Sequence, residues 1–324
     1  MRICVFGAGA IGGHLAVRLA RGGAEVSVVA RGAQAEAIAE RGLTVHAPDG
    51  VLTARPRIGS PAQLGPQDAV LVTTKQTALP AVAADIGPLL GPETAVAFVM
   101  NGIPWWYFDG TDQAGRRIEA LDPGGALRER IGIARTLGGV IWSACTVTAP
   151  GVIAVNSRSS RLLIGEPDGR LTRRAEALVQ AVAAGGMAAK AVSDIRLEIW
   201  TKLIGNLATG PLCLLSRRSI RETLAEPVLR RAAITMMEEA IAIARALGVQ
   251  VPTGAAERIA ASHDTPHKPS IPQDLEAGRP MEIDALFRIP LALGAEAGVA
   301  APLLALTTTL ARQAAEAAGL YPPR

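Results

Sequence analysis

Residues 1–31 of the chain read MRICVFGAGAIGGHLAVRLARGGAEVSVVAR. A short apolar run, Ile3 to Phe6, leads into the glycine loop Gly7-Ala8-Gly9-Ala10-Ile11-Gly12, and a helical pattern and a second apolar run, Val26 to Ala30, follow. An isolated G-x-G-x-x-G motif is weak evidence for nucleotide binding. A strand, glycine loop, helix and strand within about 30 residues, however, are typical of a dinucleotide-binding unit. The alternative is a glycine-rich turn that binds no ligand.

Each glycine of this loop has its own physical role. Gly7 permits the tight turn out of the strand, Gly9 lets the backbone approach a pyrophosphate, and Gly12 lets the helix pack closely on the sheet. The N–H groups and partial positive charge of the helix N-terminus attract phosphate. We therefore predict that the cofactor is bound by Gly7, Ala8, Gly9, Ala10, Ile11 and Gly12.

The end of the second strand distinguishes between the two common dinucleotides. NAD sites usually place Asp or Glu there to bind the ribose 2′-hydroxyl, but this chain has Arg31. A guanidinium suits the 2′-phosphate of NADP through charge-assisted, bidentate hydrogen bonds. The sequence thus predicts NADP(H) as the cofactor, the alternative being that Arg31 is a solvated residue at a strand end.

Length and charge limit the class of protein. A chain of 324 residues suits two domains better than one, and its 49% of hydrophobic residues can form a sizeable core. The formal net charge of +4 is mild and the Lys and Arg residues are scattered. We expect no nucleic-acid partner, whereas a phosphorylated cofactor and a small anionic substrate fit this charge.

Cysteine usage and hydropathy indicate a cytoplasmic protein that does not enter a membrane. Cys4, Cys145 and Cys213 form no CxxC pair and no zinc spacing, as expected for reduced thiols. No stretch approaches the roughly 18 uninterrupted apolar residues of a spanning helix.

Two further strand patterns end at polar residues. Asp68 to Thr74 is followed by Lys75, and Thr94 to Met100 is followed by Asn101. Ligands of an open parallel sheet lie beyond the C-terminal ends of its strands, so Lys75 and Asn101 are candidates to contact cofactor or substrate. Ordinary turn residues occupy such positions as well.

An aromatic cluster follows, in Ile103-Pro104-Trp105-Trp106-Tyr107-Phe108. Aromatic residues make up only 3% of the chain, so the cluster stands out. It has several interpretations: it lines the substrate entrance, covers the nicotinamide, forms a small satellite core or makes a dimer contact.

The pattern changes near Ser193, where we place a domain boundary. The segments 133–148 and 151–164 are β-rich, and a helix and a last strand follow them. Residues 1–193 are therefore predicted to form a doubly wound α/β domain of the Rossmann type. Residues 194–324 are predicted to be all-helical. This helical domain and the aromatic cluster together favour a homodimer.

Two stretches of the second domain carry polar residues in unusual company. Lys202 and Asn206 share one face of an otherwise apolar helix, so Lys202 is either a proton donor whose pKa is lowered by burial or a snorkelling or salt-bridged lysine. Ser270 and Gln273 have the spacing of a capping box.

Two other groups of residues have their own interpretations. Glu282 and Asp284 open the next helix, where acidic residues favour the helix dipole. His263 and His267 are four residues apart but lack a third ligand, so no metal site is predicted.

Together these residues resemble the ketopantoate reductase (2-dehydropantoate 2-reductase) family over essentially the whole chain. The similarity includes the GAGAIG loop, Arg31, Lys75 and Asn101. Two longer motifs are more specific than these: E-x-W-x-K-L-x-x-N at 198–206, and S-x-x-Q-D with GRP-x-EID at 270–284. The resemblance implies a C-terminal helical domain of the 6-phosphogluconate-dehydrogenase-like type.

The resemblance also implies roles for individual residues in NADPH-dependent reduction of 2-dehydropantoate to (R)-pantoate, a step of pantothenate biosynthesis. Lys202 would be the general acid, and Glu282 would lie near the reacting centre and the nicotinamide ribose. The remaining roles are substrate binding by Asn206 and Ser270, positioning of cofactor and substrate by Asn101, and binding of the phosphorylated adenosine end by Lys75 and Arg31.

The chain departs from the family pattern on the substrate side. Where the family often has N-x-x-x-N-P, the second amide position here is Gly210, followed by Pro211, so a substrate hydrogen bond is missing or moved. The aromatic segment Trp105 to Phe108 and the residues after it form a longer loop than in the simplest members. Two alternatives follow: reduction of another small 2-oxo acid or carbonyl compound, and a non-catalytic NADP-binding protein.

Overall fold

The computed structural model describes residues 1–322. The chain divides into two compact units. The first comprises Met1–Met100 and Pro104–Ile195, and the second comprises Asn101–Ile103 and the chain from Arg196 onward. The boundary predicted near Ser193 lies close to the end of the first unit and stays a prediction.

The first unit combines strands and helices, as the sequence predicts. Its strands are β1 (Arg2–Phe6), β2 (Glu25–Val29), β3 (Leu43–Ala47), β4 (Gly50–Ala54), β5 (Arg57–Ile58), β6 (Gln67–Val72), β7 (Leu90–Val99), β8 (Thr136–Trp142), β9 (Cys145–Ala149), β10 (Val152–Val155), β11 (Arg161–Gly165) and β12 (Ala188–Ala191). Its helices are α1 (Ala10–Arg21), α2 (Gly32–Arg41), α3 (Pro61–Leu64), α4 (Leu79–Asp85), α5 (Ala126–Arg130) and α6 (Arg173–Ala184).

Eight strands form the main sheet in the order β12-β11-β8-β7-β6-β1-β2-β5. All neighbours are parallel except β11 and β8, so the sheet is mixed. The strand order reverses beside β1, which pairs with β2 on one side and β6 on the other. This is the topological switch point at which doubly wound sheets bind their ligands.

A second sheet of four strands, in the order β4-β3-β10-β9, packs against α1. The contact is close: a Cβ at Gly13 would lie 2.4 Å from Ile153 Cδ1. The sequence predicted the β-rich character of β8 to β11 but not their division between two sheets, because apolar runs do not reveal which strand pairs with which.

The second unit is helical, as predicted. Its helices are α7 (Ile195–Ser216), α8 (Ile220–Ala225), α9 (Pro227–Ala246), α10 (Ala255–Ser262), α11 (Ser270–Glu276), α12 (Ile289–Glu296) and α13 (Pro302–Ala317), and a π-helical turn, Asp284–Arg288, leads directly into α12. In residues 1–322, no helix is both long and apolar enough to cross a membrane.

The aromatic cluster forms a satellite core inside the first unit. Trp105, Trp106, Tyr107 and Phe108 are each 1–3% exposed. Trp105 packs edge-to-face on Phe98, with ring centroids 5.6 Å apart. Side chains this deeply buried present no surface to a second chain, so the structure supports the satellite-core interpretation and not the dimer contact.

A buried ion pair secures this satellite core. Asp109 is only 5% exposed, and both of its carboxylate oxygens accept hydrogen bonds from Arg128, at 2.9 and 2.6 Å. The Asp109 carboxylate holds the pKa of the Arg128 guanidinium above its usual range. A buried charge of this kind is stable only while its partner is present.

Replacing Asp109 with alanine should therefore destabilise the first unit. We expect Asp109→Ala to lower the free energy of unfolding by about 3 kcal/mol, because it leaves the Arg128 cation without its partner. The matched control, Asp112→Ala, removes an exposed carboxylate of the same loop and should change stability by no more than about 0.5 kcal/mol. Urea unfolding measures both; equal midpoints for the two variants would contradict this assignment.

Candidate active site

The glycine loop connects β1 to α1 at the switch point of the main sheet. Gly7 has a φ of +106°, which L side chains rarely adopt, and its N–H donates to Val29 O at 2.9 Å. A Cβ at Gly12 would lie 2.0 Å from Gly7 O, so helix and strand approach at a distance that only glycine permits. These conformations match the predicted structural roles of both glycines.

Gly9 differs from its neighbours because it is exposed and faces open space. A Cβ placed there meets no atom within 4 Å. Gly9 is also the N-cap residue of α1 and has no side chain with which to cap the helix. The first N–H groups of α1 therefore have no side-chain cap and lie beside open space, as an anion-binding helix N-terminus requires.

Two side chains that the sequence analysis did not single out fix the carbonyl groups of the loop. Gln34 donates to Ala8 O at 2.7 Å while its own amide oxygen accepts from Gly151 N at 3.0 Å. Thr73 Oγ1 donates to Gly7 O at 2.6 Å. Neither belongs to a recognisable motif, so only the folded chain shows that they orient the peptides of the loop.

A cavity of about 520 Å³ opens beside the loop, within the first unit. Its lining includes Phe6, Arg31, Ser60, Thr74 and Asp85, with mainly apolar side chains on the remaining walls. Arg31 is exposed, and Glu36 also lines the cavity. Lys75 directly follows Thr74 but does not line the cavity, so its predicted contact with the cofactor stays a prediction.

The residues present fit a dinucleotide. An uncapped helix N-terminus faces open space at Gly9, and the same unit contains a cavity that is lined mostly by apolar side chains and by Arg31, Glu36 and Asp85. Thr74 Oγ1, buried at the cavity wall, has no hydrogen-bond partner within residues 1–322. A buried hydroxyl without a partner is costly, and a ligand in the cavity would satisfy it.

The second unit brings together residues that are far apart in sequence. Lys202 Nζ, on α7, donates to Asn101 Oδ1 at 2.7 Å. Both residues are half-buried, and Asn206 lies one turn further along the same face of α7. The hydrogen bond to the Asn101 amide oxygen therefore helps to hold the ammonium of Lys202 in a defined direction, as a proton donor requires.

Backbone contacts attach the segment Asn101–Ile103 to the second unit. The N–H of Ile103 donates to Ala285 O at 2.9 Å, and a Cβ at Gly102 would lie 2.4 Å from that same oxygen. Glu282, three residues before Ala285, is only 6% exposed. Three segments, around Asn101, Lys202 and Glu282, thus meet in one unit.

Ser270 occupies a different position from the one its spacing indicated. The N-cap residue of α11 is Pro269 and makes no side-chain cap, so Ser270 begins the helix and the predicted capping box is wrong. Gln273 donates instead to Lys268 O at 2.7 Å. Ser270 is exposed, which leaves its predicted contact with a substrate untested.

Arg258 is a further residue near Lys202 that sequence reasoning missed. Its guanidinium donates to Thr201 O at 2.8 Å and to Thr253 O at 3.0 Å. Burial lowers the pKa of this guanidinium. Arg258 thus contacts the backbone of α7 one residue before Lys202. The sequence gives no sign of this contact, because Arg258 is a single arginine on a short amphipathic helix.

Models of one protein family match both parts of the chain. Ketopantoate reductase PanE/ApbA matches residues 3–169, and its C-terminal model matches residues 194–315. The chain belongs to the ketopantoate reductase family. Membership makes it an oxidoreductase that acts on a CH–OH group.

Full-length relatives agree with this family assignment. The chain is 42% identical to a 2-dehydropantoate 2-reductase of Mesorhizobium japonicum, covering 99% of this chain and all of the relative. It is similar to the crystal structure of 2-dehydropantoate 2-reductase from Geobacter metallireducens, with a TM-score of 0.86 at 31% identity, covering 97% of this chain and 100% of that one.

One structural relative was solved with a nicotinamide cofactor. A complex of D-mandelate dehydrogenase with NADH matches with a TM-score of 0.80 at 20% identity, covering 98% of this chain and 99% of that one, which shows the shared fold.

Gly9 and Gly12 provide a matched test of the cofactor loop. Gly9→Ala should leave the melting temperature unchanged, because its Cβ meets open space, yet weaken NADPH binding at least tenfold, or about 1.4 kcal/mol, by filling the phosphate position. Gly12→Ala should lower the melting temperature itself, because its Cβ collides with Gly7 O. Thermal unfolding and cofactor titration of both variants would test this. Unaltered NADPH affinity in Gly9→Ala would exclude the phosphate position proposed at this loop.

Proposed function

We propose that this chain is an NADPH-dependent 2-dehydropantoate 2-reductase, which forms (R)-pantoate in pantothenate biosynthesis. The observation that carries the proposal is the hydrogen bond from Lys202 to Asn101, since it presents an oriented ammonium in the unit that also buries Glu282. The names of the full-length relatives support the same substrate.

The reaction adds a hydride to C2 of the 2-oxo acid and a proton to its carbonyl oxygen. Bound NADPH supplies the hydride. Lys202 carries three N–H groups, of which one is donated to Asn101. Another can donate to the carbonyl oxygen, stabilise the negative charge that develops there and transfer its proton.

The remaining polar residues bind and orient the substrate. Asn206 lies one helical turn from Lys202, within reach of a group two or three bonds from the carbonyl. Ser270 offers a hydroxyl for the carboxylate. Glu282 is buried beside the segment that fixes Asn101, where a carboxylate suits the ribose hydroxyls of the cofactor or the Lys202 ammonium.

We expect NADPH to be preferred over NADH because of one side chain, Arg31, which lines the cavity together with the carboxylates of Glu36 and Asp85. Arg31 lines the cavity as the residue that follows the second strand, where NAD sites carry an acidic side chain. Within residues 1–322, no carboxylate forms an ion pair with Arg31, so its guanidinium is available for a 2′-phosphate.

Two general properties complete the proposal. The cytoplasm is the compartment in which the three free cysteines stay reduced. A homodimer stays a prediction and now rests on the helical unit alone, since the aromatic cluster is buried.

Removing the guanidinium of Arg31 should change cofactor preference. Arg31→Ala should raise the dissociation constant of NADPH by about ten- to a hundredfold, the cost of a lost charged hydrogen bond, and leave that of NADH almost unchanged. Arg21→Ala, which removes an exposed arginine at the end of α1, is the control and should affect neither. A parallel loss of affinity for both cofactors would rule out the phosphate role.

The proposed acid is tested by Lys202→Ala. We expect kcat for reduction of 2-dehydropantoate to fall by about 10²–10⁴, the usual contribution of a general acid, while NADPH still binds normally. Lys190→Ala removes an exposed lysine of β12 and should leave kcat unchanged. If Lys202→Ala turned over at the wild-type rate, the proton would have to come from another group.

A further inference from the structure

We infer that Cys145 is a reactive thiol, which peroxide oxidises reversibly to a sulfenic acid, because His14 and Ser143 can both donate hydrogen bonds to its sulfur. The three residues lie in the first unit, where α1, which carries His14, packs against β9, which begins at Cys145. The inference goes beyond the proposed function and does not depend on it.

The first step is the position of the proton on His14. The side chain is completely buried, and burial lowers the pKa of its imidazole to about 4, so the ring is neutral at pH 7. Arg18 Nε donates to His14 Nε2 at 3.2 Å, and a guanidinium is always a donor. Nε2 is therefore the acceptor nitrogen, and the one proton of the neutral ring lies on Nδ1.

The second step is what Nδ1 of His14 faces. It lies 3.5 Å from Cys145 Sγ and 3.4 Å from Ser143 Oγ. Ser143 Oγ in turn lies 2.9 Å from Cys145 Sγ and 2.8 Å from Ser160 Oγ. An imidazole N–H and a hydroxyl can thus donate to the same sulfur. Hydrogen bonds of this kind stabilise the thiolate, which is the nucleophilic form of cysteine.

The position of the proton also determines which chemistry the cluster supports. The Cys–His pair of an acyl-transfer enzyme needs an imidazole nitrogen that accepts the thiol proton. Neither nitrogen of His14 can do so, because Nε2 accepts from Arg18 and Nδ1 already carries a proton. The arrangement stabilises a thiolate without supplying a base, which is what a modification site requires.

Solvent access distinguishes Cys145 from the other two cysteines. Cys4 and Cys213 are completely buried, and burial raises the pKa of Cys4 to about 12 and that of Cys213 to about 11. Cys145 is only partly buried. Its cluster continues through Ser160 into the largely exposed loop 156–160. A small oxidant in solution therefore reaches Cys145 more readily than it reaches the other two thiols.

Hydrogen peroxide supplies the oxidant for the proposed step. The thiolate of Cys145 attacks one peroxide oxygen, so that an S–O bond forms and the O–O bond breaks. The departing hydroxide takes a proton from solvent and becomes water. The sulfur is oxidised by two electrons and the peroxide is reduced by two. A small thiol such as dithiothreitol returns the sulfenic acid to the thiol, because this first oxidation step is reversible.

The first test compares the three cysteines within one native chain. The folded protein is treated with dilute hydrogen peroxide and then with dimedone, which labels sulfenic acids, and each cysteine is quantified by peptide mass spectrometry. We expect labelling of Cys145 to exceed that of Cys4 and Cys213 by at least about tenfold, and to disappear when dithiothreitol precedes dimedone. Equal labelling of all three cysteines would overturn the inference.

Two variants at position 14 test the imidazole N–H. His14→Asn places an amide N–H close to the position of Nδ1, whereas His14→Leu has no donor, and both remove the acceptor of Arg18. We expect oxidation of Cys145 to slow by about three- to tenfold in His14→Leu and to stay near the wild-type rate in His14→Asn. A lost hydrogen bond lowers the thiolate fraction, but the more basic thiolate that remains is more nucleophilic. Equal rates in the two variants would contradict the role of His14.

Ser143→Ala gives the same test with His14 in place, should the variants at position 14 fail to fold. It removes the hydroxyl donor to the sulfur and should slow oxidation of Cys145 by about threefold or more. The matched control is Ser159→Ala, in the exposed loop, which should leave the rate unchanged. The melting temperature verifies folding of each variant. An unchanged rate in folded Ser143→Ala would show that the cluster does not activate the thiol.

Discussion

The hydrogen bond between Lys202 and Asn101 is the constraint on which the second unit's chemistry depends. It joins residues separated by 101 positions in sequence, and it exists because Asn101 lies with the helical unit although it follows a strand of the first unit. Gly102 allows the close approach to Ala285 that holds Asn101 in place. A mobile lysine would present its ammonium in many directions, whereas the ammonium of Lys202, the proposed proton donor, is oriented by an amide.

The nucleotide loop depends on backbone geometry rather than on side-chain chemistry. Gly7 and Gly12 are required by a positive φ and by a contact with Gly7 O, and Gly9 is required only by what would bind there. The first two glycines support the fold, whereas the third is proposed to leave room for the ligand. The three glycines of one motif thus meet two different requirements, one for folding and one for binding.

Much of the fold and part of the site could be predicted from the sequence, for physical reasons. The β1-loop-α1 unit is local, so its pattern appears within one window, and Lys202 and Asn206 share a helix face by spacing alone. Pairing between distant segments leaves no such local signal, which is why the four-stranded sheet, Gln34 and Arg258 were missed. The spacing of Ser270 and Gln273 predicted a capping box, but the helix begins one residue earlier than that spacing implies, because Pro269 is its N-cap residue. The contacts of His14 with Ser143 and Cys145 likewise appear only in the folded chain.

The most direct test of the central claim is product formation by the purified full chain. NADPH oxidation and pantoate formation would be measured together, with 2-dehydropantoate as substrate. Reduction by hydride transfer from the cofactor and proton transfer from Lys202 predicts one pantoate for each NADPH consumed. Cofactor binding without oxidation, for this substrate and for other 2-oxo acids, would contradict the account and indicate a protein that binds NADP without catalysing reduction.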